Sequence, residues 1–167
     1  LRFFNPETGT YDYITPVKQN ILLHPIDDAG IVILNQRELS TIVSDLPPVF
    51  IINKNVGFDE AVTKGFPIAS LDQTSETGES SLVTLNMRYL QEIPTEHAFQ
   101  LSTLDDYNED SIKGMSGAGI FIEACEELYL NGIFTRFTDE DRGKVIYAQK
   151  LTSFNELLGN KYKKKMP

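Results

Sequence analysis

Gly114-Met115-Ser116-Gly117-Ala118-Gly119 sets one hydroxyl among small residues, directly ahead of an apolar run. A serine that attacks a carbonyl needs an accessible oxygen, a base to take its proton, and N–H donors for the oxyanion that forms. Glycine at the second position before the serine lets the backbone turn, so that the N–H groups of Gly114 and Ser116 converge. The small residues after it let the next strand pass close beneath. A glycine-rich β-turn with an incidental serine has the same letters, so the stretch alone does not decide between the two.

The elements that must position this serine are short apolar runs rich in β-branched and aromatic residues, separated by turn chemistry. "LRFF" and "YDYI" flank the hairpin-like "NPETGT". "NILL" leads through "HPIDD" into "GIVIL", and "PVFII" follows. Later runs are "AVTKGFPI", "SLVTLNM", "AFQL", "GAGIFI", "ELYLNGIF" and "KVIYAQKL". Only residues 151–160, "LTSFNELLGN", read as a helix, with Thr152 or Ser153 able to cap it and Gly159 able to end it. Many closely spaced strands with one terminal helix indicate an antiparallel barrel or sandwich. Residues 70–81 and 102–114 are polar or acidic loops, and the second ends at the serine motif.

"GMSGAGIF" resembles the nucleophile block, G-x-S-G-x-P, of trypsin-like (chymotrypsin-fold) serine proteases, with Gly119 where many members carry proline. "LYLNGIFTRF" is similar to that family's cleft-lining strand, "KVIYAQKL" to its last strand, "TSFNELLG" to its closing helix. "KGFPIA" is similar to the segment that opens the second barrel in bacterial members. The resemblance implies an all-β fold of two six-stranded antiparallel barrels with a C-terminal helix, the first barrel incomplete in this chain. Residues 1–58 would be the second half of the first barrel, 59–150 the second barrel, and 151–167 the helix and the start of a linker.

The resemblance also implies a Ser–His–Asp mechanism with Ser116 as nucleophile and Gly114 and Ser116 as oxyanion donors. "HPIDDAGIVIL" is similar to the family's segment bearing the triad acid. Asp28 leaves Gly30 at the small-residue position and is preferred; Asp27 is the alternative. A carboxylate there accepts the imidazole N–H, orients the base and stabilises its cation. The base itself is missing. On an extended strand His24 would be carried away from the carboxylate, and His97 falls in the second barrel. Both read as surface histidines, so the catalytic histidine is expected upstream of Leu1, on a segment of the same protein or on another chain that completes the first barrel.

Asp110, six residues before Ser116, stands where the family has the base of the pocket that selects the residue before the scissile bond. A carboxylate there favours Lys or Arg. Thr135 lines the cleft, while Phe137 and Val145 stand at wall positions where arginine-selective members carry glycine and would fill the slot. Met115 replaces the aspartate by which digestive members pair with a cut N-terminus, so activation by trimming is not expected.

Across the 167 residues, 15 Lys and Arg face 24 Asp and Glu, a formal charge of −9. That argues against a nucleic-acid partner. Lys161, Lys163, Lys164 and Lys165 read as a solvated tail. No apolar run is long enough for a membrane span. A single cysteine, Cys125, excludes an internal disulfide and fits the cytoplasm. No His/Cys/carboxylate cluster has metal-ligand spacing, and no cofactor is implied. The expected partners are a protein or peptide substrate and the segment completing the first barrel. A catalytically inactive relative kept as a binding module is the second reading, and a plain β-barrel adaptor the third.

Overall fold

The computed structural model describes residues 2–5, 10–34, 50–51, 58–65, 67, 83–107, 112–124, 126–140 and 143–162. Six strands close on themselves: β6 (Glu60–Gly65), β7 (Val83–Ile93), β8 (Ala98–Thr103), β9 (Gly119–Ala124), β10 (Glu127–Glu140) and β11 (Gly143–Lys150). Their spatial order is β6-β7-β8-β11-β10-β9, and pairing of β9 with β6 completes the circuit; every pair is antiparallel. Closure leaves none of the six an open edge. A short strand, β5 (Phe50–Ile51), adds in parallel to β10, with Phe50 beside Tyr129 at 5.7 Å between ring centroids.

Period-two patterning builds the interior. Leu85 and Met87 on β7, Phe99 and Leu101 on β8, Ile120 and Ile122 on β9, and Ile146 and Ala148 on β11 all point inward and are buried. Each fully buried aliphatic or aromatic side chain contributes roughly 1.5–3 kcal/mol. Among the described strand residues, the fully buried hydroxyl is that of Thr63 on β6, which donates to the Gly119 carbonyl at 2.7 Å and so is satisfied.

The preceding residues form two hairpin pairs, β1 (Arg2–Asn5) with β2 (Thr10–Tyr13) and β3 (Ile21–Leu23) with β4 (Gly30–Val32). They are two-stranded sheets; a second closed barrel is not formed by the described residues.

The helix, α1 (Leu151–Tyr162), leaves β11 without an intervening loop and buries Leu151, Phe154 and Leu157. It differs from the sequence expectation at both ends. Ser153 is not a cap, because its hydroxyl is buried and committed to other side chains. Gly159 does not end the helix, which runs on to Tyr162. No described helix is long and apolar enough to cross a membrane.

Candidate active site

Ser116 lies on a tight turn that opens β9. The Ala118 N–H donates to the Met115 carbonyl at 3.0 Å, making residues 115–118 a β-turn with Ser116 second and Gly117 third. Gly117 has φ +97°, the value that a type II turn demands of its third residue, which explains glycine there. Gly114, with φ +95°, reverses the chain just ahead of the turn. Met115 between them is buried in the barrel core, whereas Ser116 is exposed. Neither its hydroxyl nor its N–H is engaged by another described residue.

Two backbone bonds fasten this turn to β10: Gly117 N–H to the Phe134 carbonyl and Phe134 N–H to the Ala118 carbonyl, both 2.8 Å. On the other side, a Cβ at Gly65 would lie 3.1 Å from Cε of Met115, so the end of β6 packs against the serine turn. Gly65 at the end of β6, the turn at 115–118 and Phe134 on β10 are thus brought together in space.

Thr135 follows Phe134 and is the extra residue of a β-bulge, since Phe134 pairs with Ala148 but Arg136 with Tyr147. Its hydroxyl donates to the Tyr147 carbonyl at 3.0 Å. With Arg136, Tyr147, Asp27 and Asp28, it lines a pocket of about 260 Å³ between the β3–β4 turn and the barrel. Both candidate acids therefore lie beside the strand from which the serine turn hangs. The guanidinium of Arg136 sits 4.1 Å over the Tyr147 ring and 3.2 Å from Glu96.

The two aspartates differ sharply. Asp28 is exposed and makes no hydrogen bond to another described residue. The Asp27 side chain is only 5% exposed, and one of its oxygens accepts from Ser153 Oγ at 2.7 Å and from His97 Nδ1 at 3.1 Å. Burial pushes this carboxyl up. The bonds from Ser153 and His97 outweigh that, with the charges of His24 and His97 when protonated, and hold it below the ordinary carboxylate range.

The histidines depart from expectation. His24 is not carried away along a strand: residues 25–28 bend, and its Nδ1 accepts the Asp27 N–H at 2.9 Å. Its side chain is 8% exposed, and Nε2 faces Glu156 at 3.2 Å. His97, in the β7–β8 turn with φ +48°, is 51% exposed and pairs with Asp27. Neither is an unattached surface group. Sequence reading missed this cluster because its members come from 24 to 156; the one local signal was Pro25 between His24 and the aspartates, which forces a bend.

The remaining candidates fall as follows. Phe137 packs partly buried against the barrel core and pairs with Ile146; Val145 pairs with Thr138 and Ser102. Asp110 and Cys125 lie outside the described residues. Among the described residues, no group of three or more His, Cys, Asp or Glu is placed to hold a metal ion.

No protein-family model matches the chain, and a search of curated proteins returns no match.

Proposed function

We propose that the chain is most of the protease domain of a serine endopeptidase of the chymotrypsin-like kind. Residues 1–58 would contribute half of a first barrel, 59–150 the second, and 151–167 the closing helix with the start of a linker. The observation that carries this reading is the exposed Ser116, set between positive-φ glycines and tied by two backbone bonds to the strand whose next residue, Thr135, shares a pocket with Asp28.

Ser116 Oγ adds to the scissile carbonyl carbon while its proton passes to an imidazole. The oxyanion is held by the N–H groups of Gly114 and Ser116, and collapse expels the amine, which takes the proton back. Water then attacks the acyl-enzyme by the same route. Asp28 orients the base: its carboxylate is uncommitted, whereas that of Asp27 already accepts from Ser153 and His97. The imidazole comes from a segment outside these 167 residues, on the same polypeptide or a partner chain that also completes the first barrel. Thr135 lines the cleft, and Asp110 would draw a basic side chain into a pocket narrowed by Phe137 and Val145. A single cysteine is consistent with a cytoplasmic setting.

Phe137 is packed partly buried against the barrel core and stands, by the resemblance, at a wall of the specificity pocket, which favours the second reading, an inactive relative retained as a protein-binding module. Labelling of the full-length protein with a fluorophosphonate separates the two. The enzyme reading expects labelling that is abolished by Ser116→Ala and slowed by about four orders of magnitude by Asp28→Asn. Absence of labelling under every activating condition would leave the binding module.

A further inference from the structure

Asp27 joins four parts of the molecule. Its backbone belongs to the β3–β4 turn, where its N–H binds His24 Nδ1 and its carbonyl accepts from Ala29 at 2.8 Å. Its carboxylate reaches His97 in the β7–β8 turn and Ser153 in α1. Ser153 in turn accepts from Gln149 Nε2 on β11 at 2.8 Å. The polarity is continuous: amide N–H to hydroxyl oxygen, hydroxyl proton to carboxylate. Only an acceptor at Asp27 completes the chain, because both the hydroxyl and the imidazole N–H arrive as donors.

The barrel side of this joint is held independently. The His97 carbonyl accepts from Lys150 N–H at 2.9 Å and from Gln149 Nε2 at 3.0 Å. That anchoring keeps His97 in a left-handed conformation, which side-chain-bearing residues adopt only at a cost. The β3–β4 turn has fewer ties. Besides the Asp27 carboxylate, its described side-chain bond to the rest of the molecule is the one from His24 to Glu156, whose carboxylate is more than half exposed. The exposed Ile26 and Asp28 supply no further bond.

We infer that Asp27 is a positioning residue, whose ionised carboxylate clamps the β3–β4 turn onto the barrel and helix and so fixes where the neighbouring Asp28 is presented. The meaning of that placement rests on the protease reading; the clamp does not. The charged groups around it are His24 and Asp28 on the turn itself, Glu96 and His97 on the β7–β8 turn, Arg136 on β10 and Glu156 on α1. Protonation of Asp27 removes the charge that strengthens both bonds, leaves only a neutral acceptor facing the two donors, and loosens the clamp.

Hydrogen–deuterium exchange on the full-length protein tests this, with rates corrected for the intrinsic effect of pH. Asp27→Ala, which removes the acceptor outright, should speed exchange of the His24, Ala29 and Ile33 amides at least tenfold at neutral pH while leaving Leu85, Ile120 and Ile146 unchanged. Ser153→Ala should do the same more weakly. The unmodified protein should show this selective loss on acidification below the ordinary aspartate range, and Asp27→Ala should show no additional step. Unchanged turn exchange in both variants, or an equal rise across the barrel, would overturn the clamp. Fluorophosphonate labelling of the same samples separates the two ideas. Selective turn opening without labelling of the parent protein leaves the clamp standing and removes the protease; labelling with unaltered turn exchange does the reverse.

Discussion

Replacing Gly117 by alanine isolates the backbone cost of displaying Ser116. No atom lies within 4 Å of a Cβ built at this position, so packing contributes nothing and the penalty is conformational. An L-residue held at φ +97° is beyond even the left-handed helical well and costs at least about 1–2 kcal/mol. The chain has one local escape: to flip the Ser116–Gly117 peptide, turning a type II turn into a type I turn with negative φ at residue 117. That flip swings the Gly117 N–H away from the Phe134 carbonyl, a 2.8 Å bond at a buried strand residue. Losing it costs roughly 0.5–1.5 kcal/mol, and up to about 3 if the carbonyl finds no other donor. Both routes therefore lead to a destabilisation of about 1–2 kcal/mol. Urea unfolding should show a midpoint lowered by about half to one molar, with an unchanged slope. The melting temperature should fall by about 2–8 °C. Ser116→Ala serves as the control, since an exposed side chain without partners changes stability by no more than about 0.5 kcal/mol. A Gly117→Ala variant as stable as its parent would refute the turn as described, and with it the account of how the serine is held clear.

Two further perturbations probe the frame and the clamp. Gly132→Ala places a methyl 2.8 Å from the Phe99 ring and 2.9 Å from the Gln149 carbonyl; the latter is backbone and cannot step aside, so about 1–3 kcal/mol should be lost in urea melts, and a neutral result would deny the close passage of β10 over β11. Because the folded state holds Asp27 below its usual range, this carboxylate contributes stability that is present above about pH 4 and is lost as pH falls through the lower folded value. Stability titrations of the parent should therefore carry an acid limb with a slope up to about 1.4 kcal/mol per pH unit that Asp27→Asn lacks, and identical limbs would remove Asp27 from the pH response.

Local patterning made the barrel legible. "AVTKG", "AFQL" and "KVIYAQK" are short apolar runs with β-branched and aromatic residues bounded by turn chemistry, and all three are strands at those places. The long strands were underread: β7 runs on through "RYLQEI" and β10 through "TRFTDE", where no described residue is fully buried and polar residues dilute the apolar run. Ser116 was legible for a different reason. A turn that needs φ near +95° at two places close to a polar residue writes glycine into the sequence, because a Cβ is strained there. The Asp27 cluster had no such imprint, since each of its side chains is ordinary until the fold joins them.

The choice between Asp27 and Asp28 turns on that difference. From the sequence, phase alone separates them: a strand in step with Asp28 puts Gly30 at the small position, one in step with Asp27 puts Ala29 there. In the structure they are separated by hydrogen-bond capacity. On the proposed protease reading, a carboxylate that orients an incoming imidazole needs a free acceptor, and the exposed Asp28, which lines the pocket shared with Thr135, has one. Asp27 spends its acceptor on groups that hold the turn in place. Asp27→Ala should thus loosen the turn and slow labelling of Ser116 by a factor that shrinks as the temperature is lowered and the turn reorders. Asp28→Asn should slow labelling at every temperature with the turn intact. Equal and temperature-independent losses from both would mean that the two carboxylates act as one group, and the division of labour would be wrong.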